Sequence, residues 1–385
     1  MKRILIIGLL ILALMAMPLF AVACEEEPAV NGNGGEPPAV NGNGGEPPPE
    51  VIELTCATYF PPPSRQAQTL EAFCLEVEAR TGGKIKIEYY PGGTLLDAPA
   101  MYQGIVDGVA DIGFAPIHYT AGRFAVTEVI TSTLGWPSAW VGAHVATEFY
   151  SEFQPAEWDD VKMLWLQANE PKVIYTKEPV RTLEDLAGLT IRAPGSAGNI
   201  ITALGATPAP TPTSEMADAI AKGTLDGAFL PLETLKTFST AEVVNYITAC
   251  WNIGSTDCFY TVMNKDAYAS LEALPEAKAI FDEVCGKYAE IFALMWNSID
   301  FDGLAYAEGF GVEVIDLSSA EAARWEAAAA PAVDTYIQNM VDAGYTEAEV
   351  SEWIDFLQGR IEYWTALQAT YKILSLTGPP EIMSQ

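Results

Sequence analysis

Histidine is nearly absent from this chain: its 385 residues hold two, His118 and His144. A zinc-protease helix needs a second histidine one turn further on to close a face around the metal. His144 opens the run HVATE, which has none, and no metal site is expected. Basic residues are also scarce, with 20 Lys and Arg against 51 Asp and Glu and a net charge of −31. So acidic a surface repels nucleic acid and anionic headgroups, and neither is an expected partner. No Walker-type phosphate loop occurs, and Gly195-Ser196-Ala197-Gly198 lacks the G-x-S-x-G spacing of a nucleophile elbow. The expectation is therefore no enzyme and no cofactor. A hydrolase built on a carboxylate dyad is the alternative, although 51 acids bring some pairs together by chance.

Long apolar runs are confined to the start. Lys2 and Arg3 precede an apolar stretch over residues 4–22 that ends in the small residues Ala21 and Ala23 and then Cys24. This reads as a signal peptide over residues 1–23, with Cys24 placed as in a bacterial lipobox and lipidated after cleavage. Ala21 stands where leucine is commoner in that motif. Residues 24–50 carry the unit PAVNGNGGEP twice in succession. Glycine, asparagine and proline in that density keep a chain solvated, so this is a flexible tether from the lipid, with a reach of about 25–30 Å. Cys24 aside, five cysteines remain, an odd number that leaves at least one thiol free in a monomer. Cys250 and Cys258 flank a short connection and are the pair best placed for a disulfide.

What remains is long enough for one two-lobed protein, and 9 Trp and 16 Tyr suit a packed core with an aromatic-lined cleft. Residues 51–58 read as a strand, the three prolines Pro61, Pro62 and Pro63 as a loop, and Ser64 as the cap of a helix burying Leu70, Phe73, Cys74 and Val77. A strand over 84–90, a helix over 98–107 and a strand over 111–115 complete a β-α-β-α-β opening. The second half repeats that grammar: strands over 172–175, 190–192 and 227–230, and helices over 197–204 and 214–222. Strands over 243–249 and 260–264 are expected to return to the first lobe. Long helices over 275–309, 318–343 and 346–374 follow, with one strand near 312–315. The fold class is α/β, a clamshell with crossing strands: lobe I over 51–170, lobe II over 171–257, a return to lobe I with a connecting helix over 258–300, then completion of lobe II and the C-terminal helices over 301–385.

Arg192 stands at the end of the strand over 190–192, with Pro194 and Gly195 breaking the ladder beyond it. Strand ends in α/β sheets converge on a crevice where ligands bind, and a guanidinium there can hold a carboxylate by two parallel hydrogen bonds. The global charge opposes an anion, so a local cation has to be concentrated in the cleft, and Arg192 and Lys172 are the candidates. The loops after the first and third strands open onto the same cleft, bringing Tyr59 and Phe60 from one and His118 and Tyr119 from the other. Trp136 and Trp251 are candidate aromatic walls, and Glu233 is a candidate to cap a cation or accept a ligand hydroxyl.

The run RTLEDLAGLTIRAPGS over 181–196 resembles the corresponding region of the DctP-type solute-binding proteins of tripartite ATP-independent periplasmic (TRAP) transporters. So do EARTGGKIKIEYYPGG over 78–93, GVADIG over 108–113, ALGATPAPTPT over 203–213 and KGTLDGAFLP over 222–231. The resemblance extends from residue 51 to about 375. It implies a type II periplasmic-binding-protein-like fold, an organic acid as ligand gripped by Arg192, and delivery to a TRAP membrane permease from an extracytoplasmic position. Two departures stand out. Leu230 occupies the place where many sugar-acid binders of the family carry an asparagine, and Lys172 the register of a second arginine. Both suggest a less hydroxylated, more apolar carboxylate. A lipid-anchored ligand sensor working without a permease is the alternative within the same fold.

Overall fold

The computed structural model describes residues 51–378 together with 382 and 383. The expected signal peptide, Cys24 and the tether lie outside the described residues. The first sheet begins with β1 (Ile52–Thr58), α1 (Arg65–Arg80), β2 (Ile85–Tyr90), α2 (Met101–Val106) and β3 (Ile112–Pro116). β1 pairs in parallel with both β2 and β3, as helical crossovers require. Ser64 caps α1 by accepting a hydrogen bond from the Ala67 amide. A helix and a strand that the sequence reading did not mark follow, α3 (Ala139–Phe153) and β4 (Val161–Ala168).

The chain then crosses to a second sheet with β5 (Val173–Thr176), β6 (Thr190–Arg192), α4 (Ser196–Ala203), β7 (Thr207–Ala209), α5 (Thr213–Ala221), β8 (Gly227–Leu230), α6 (Glu233–Thr237) and β9 (Tyr246–Ala249). It recrosses as β10 (Cys258–Asn264), and α7 (Lys265–Ser270) and the 35-residue α8 (Pro275–Gly309) follow. Last come β11 (Glu313–Asp316), α9 (Ser319–Ala329), α10 (Pro331–Asp342) and α11 (Glu347–Tyr371). The strand orders are β2-β1-β3-β10-β4 and β11-β9-β5-β8-β6-β7. This is the two-lobed α/β architecture expected. Side chains alternate between the faces of each sheet: on β3, Ile112 and Phe114 enter one core and Ala115 the other, and on β8, Phe229 opposes Ala228 and Leu230.

Three expectations are corrected. First, β9 does not return to the first lobe. It lies in the second sheet between β5 and β11, and β10 alone makes the return. The corner comes after β9, at a turn ending in Gly254, whose φ is 61° and whose absent Cβ would lie 2.5 Å from the Gly135 Cα. Second, the helix expected over 318–343 is two helices. Pro331 lacks the amide that would continue α9 and instead opens α10. Third, Cys250 and Cys258 do not pair. Both are free and buried, as are Cys56, Cys74 and Cys285. Cys250 belongs to the core of the second sheet and Cys258 to that of the first, so packing holds them apart.

The two crossing segments are bonded to each other. The Asn169 carbonyl oxygens accept from the Thr256 hydroxyl (2.6 and 3.0 Å) and the Asp257 amide (2.8 Å). The Lys172 amide donates to Ser255 O at 3.0 Å. Glu170, 1% exposed, sits in the same crossing. Its Oε2 lies 3.1 Å from the Ser375 hydroxyl and 2.9 Å from that of Thr377. The Thr377 hydroxyl also donates to Pro137 O at 2.8 Å. A hydroxyl has one proton to give, so a protonated Glu170 completes this network where an ionised one does not. Burial pushes its pKa to about 8 from 4.5.

An acid whose folded pKa is raised binds more protons folded than unfolded, so its stabilisation is complete below about 4.5 and lost as pH rises through about 8. Glu233, pushed up to about 7 by burial, acts in the same direction. Denaturant melts between pH 5 and 9 are expected to lose stability with rising pH, and Glu170→Gln to flatten the slope by up to about 1.4 kcal/mol per pH unit. Superimposable slopes for the two proteins would refute a neutral Glu170.

Candidate functional site

Arg192 ends β6 at the edge of the crevice and is 0% exposed. Its Nε donates to Thr211 O (3.0 Å), in the link between β7 and α5, and its Nη2 to Oγ1 of Thr213 (2.9 Å), the first residue of α5. These bonds orient the fork. Nη1 is buried with no hydrogen-bond partner among the described residues. An unmet charged donor away from water costs more than the 1–3 kcal/mol of a neutral one, and the group that fits it is an anionic acceptor.

Tyr119 reaches this centre from the other sheet. It lies in the short 3₁₀ turn Ile117–Tyr119 after β3. Its hydroxyl accepts from the Thr213 amide at 2.9 Å, sits 2.7 Å from Thr213 Oγ1, and is 3.5 Å from Arg192 Nη2. Beside it, His118 has an 8% exposed side chain and two ring nitrogens without a hydrogen-bond partner among the described residues. Its Nδ1 stands 3.6 Å from Asp257 Oδ1, too far for a hydrogen bond. Burial lowers its pKa, against the pull of Asp257. A cavity of about 350 Å³ opens here, between Pro99, His118, Tyr119 and Phe124 on one side and Pro194 and Pro212 on the other.

Lys172 is next to this centre but is otherwise engaged. It is buried, and its Nζ lies 3.2 Å from Ser255 Oγ, 2.6 Å from Thr256 O and 3.1 Å from Asp257 Oδ1. An ammonium has three protons, and all three have protein acceptors. Burial raises the Asp257 pKa, but the Lys172 ammonium outweighs it and holds the carboxyl well below the usual range. The pair is ionised and internally compensated, which leaves Arg192 as the cation with an open donor in this cluster.

The remaining candidates separate. Tyr59 stands edge-on to Tyr119 with ring centroids 5.9 Å apart and is stacked at 6.4 Å on Phe238, forming an aromatic wall across the crevice. Phe60 is core, packed on Phe114, Phe259 and Trp296. Trp136 is core too, its indole donating to Ser132 O at 3.1 Å. Leu230 is buried in the core of the second sheet, and Trp251 packs against that core from the turn after β9. Glu233 lines a different cavity, with Gln66 of α1. Sequence reasoning missed Asp257, Thr211 and Thr213. Asp257 was one acid among 51, with no local signal. The Thr213 hydroxyl was visible in the run Thr211-Pro212-Thr213 as a group able to accept from a guanidinium, whereas Thr211 accepts through its backbone carbonyl, which no side-chain pattern signals.

The two halves also meet beside this centre. Glu128 accepts from the Ser196 amide at the start of α4 at 3.0 Å, and the Thr131 and Ser196 hydroxyls are hydrogen-bonded. Arg192 thus lies inside a closed interface, with bonds from both sheets around it.

Comparison with known proteins gives one consistent result. Residues 56–339 match the DctP family model, bacterial extracellular solute-binding protein, family 7. The chain is 25% identical over 271 residues to a solute-binding protein of Albidiferax ferrireducens, covering 66% of this chain and 76% of that protein. It is 30% identical over 176 residues to the sialic acid-binding periplasmic protein SiaP of Vibrio cholerae, over 43% of this chain and 54% of that one. Among solved structures it is similar to a TRAP solute-binding protein of Rhodoferax ferrireducens in complex with copurified benzoate. The TM-score is 0.76 at 26% identity, over 82% of this chain and 99% of the other.

Proposed function

The chain belongs to the DctP family of bacterial extracellular solute-binding proteins, and from that premise we propose that it captures a small organic carboxylate of apolar character for a TRAP permease, held to the membrane through lipid on Cys24. The observation that carries this reading is the buried Arg192 guanidinium with Nη1 unpartnered. Its other nitrogens are fixed by Thr211 and Thr213, so a carboxylate docks on a preset donor with little left to order. Tyr119 then closes from the opposite sheet onto Thr213 and Arg192, shutting out water and strengthening the ion pair.

An apolar rather than sugar-like acid is supported by the walls. Tyr119, Phe124 and the prolines Pro99, Pro194, Pro210 and Pro212 line the space, and Tyr59 stands edge-on to Tyr119. Lys172 has no free proton for a second carboxylate, which favours a monoacid. The Rhodoferax ferrireducens relative with benzoate binds an acid of this kind. The test is a thermal-shift series on the purified protein with benzoate, benzamide and glucuronate. Benzoate is expected to raise the melting midpoint, since a ligand of the native state stabilises it by mass action, with benzamide inert and glucuronate weaker. A response to benzamide equal to that of benzoate would remove the anion from the reading. A larger response to glucuronate would remove its apolar character.

A further inference from the structure

A second cavity, of about 490 Å³, opens between the start of α1 on one side and α6 and α8 on the other. Its inner wall is acidic and acceptor-rich. Glu233 is 3% exposed and has no ion-pair partner among the described residues. Its Oε2 accepts from Gln66 Nε2 (2.9 Å) and Thr237 Oγ1 (2.7 Å). Its other oxygen receives no donor among the described residues. Gln66 is fully buried, and because its amide nitrogen is committed to Glu233, its Oε1 is left without a partner. Two acceptor oxygens, one on a side chain able to carry a full charge, therefore belong to the lining of this cavity and have no donor among the described residues.

The cations nearest the cavity do not supply one either. Arg65 and Lys236 line its rim, half-exposed or more, and both turn to Asp302, at 3.9 and 3.3 Å. The occupant that satisfies this wall brings N–H donors and positive charge. The rest of the lining, Pro63, Ile299 and Tyr306, suits a short carbon chain. A divalent metal fits less well, since no group of three metal-ligating side chains occurs among the described residues. The field of a chain with net charge −31, which works against an anion at Arg192, draws a cation to this cavity.

We propose that this cavity binds a primary ammonium group, with Glu233 as its counter-ion and the Gln66 carbonyl as a second acceptor. The site is a cavity distinct from the one beside Arg192. Gln66 belongs to α1 of the first half and Glu233 to α6 of the second, so an occupant bridges the halves and favours the closed form. The ammonium arrives either on a free amine or as the far end of an acid held by Arg192.

The test is a thermal-shift titration of the purified protein with propylammonium chloride, against tetramethylammonium chloride at equal ionic strength. The quaternary ion has the charge but no N–H donor. Propylammonium is expected to raise the midpoint saturably and tetramethylammonium to leave it unchanged. Glu233→Gln, which keeps a hydrogen-bonding side chain of the same shape, is expected to weaken the propylammonium response at least tenfold. Arg192→Ala is expected to retain it while losing the response to benzoate. 6-Aminohexanoate separates the two sources. Tighter binding than hexanoate, needing both Arg192 and Glu233, identifies the far end of an acid, and independent shifts by hexanoate and propylammonium identify a free amine. No response to propylammonium, an equal response to tetramethylammonium, or a full response in Glu233→Gln would overturn the proposal. The wild-type comparison stands even if that variant does not fold.

Discussion

Arg192→Ala is expected to weaken binding of a small carboxylate by roughly 30-fold to several thousand-fold, the equivalent of about 2–5 kcal/mol for truncating one member of a buried, hydrogen-bonded charge pair. The size follows from burial. At a solvated surface the same pair would contribute about 1 kcal/mol or less, but Arg192 is fully enclosed and no second cation in its cluster has a free donor. Truncation is not expected to unfold the protein, because the Thr213 amide and hydroxyl keep their bonds to Tyr119. Arg192→Lys should also lose affinity. It keeps the charge but cannot hold Thr211, Thr213 and a ligand at once in a planar fork. Calorimetric titration with benzoate at fixed pH and salt checks both variants, and wild-type affinity in either would take the ligand away from Arg192.

Gly303→Ala is expected to cost about 3 kcal/mol of stability or more. Gly303 lies in α8, where a Cβ would stand 2.1 Å from Leu232 O, 2.5 Å from Leu232 C and 2.8 Å from Glu233 Cα. All three are backbone atoms and cannot rotate aside, so helix and loop must separate. Alanine is the better helix former by about 1 kcal/mol, which would make the variant more stable if the helix ran free. Overpacking of a close-packed contact typically costs 1–3 kcal/mol and more when backbone must move, so the clash wins. Displacement would also disturb the bond from the Glu233 amide to Asp300 Oδ1, 2.8 Å long, which ties the same two elements. Urea melts decide it. A variant as stable as the wild type would mean that α8 does not press on the 231–233 turn.

Much of this arrangement was legible in the sequence. The strand over 190–192 and the helix over 275–309 occur as read, because each is bounded by local breakers: Pro194 and Gly195 after the one, Pro275 at the start of the other. Arg192 could be picked out by chemistry alone, a cation at a strand end in a chain with few cations. What local pattern does not carry is partnership. The strand expected over 243–249 is present over 246–249, but nothing in those residues says that β9 pairs with β5 and β11 rather than with the first sheet. Lys172 read as a cation free for a ligand until Asp257, far along the chain, took its charge. The strand β4 escaped notice because Val161, Met163 and Trp165 alternate with residues that are not uniformly polar, as befits a strand covered on both faces.

The five buried thiols have a consequence for how this protein is made. Burial pushes Cys250 up to about 12 and raises Cys56, Cys258 and Cys285 as well, so thiolate, the form that attacks oxidants and disulfides, is scarce in the folded state. The described fold contains no cross-link. Among the described residues, folding therefore involves no thiol–disulfide exchange, and there is no disulfide for a reducing environment to break. Each cysteine here serves as a small apolar side chain that becomes reactive when the core opens, so alkylation rates report the opening of either sheet's core directly.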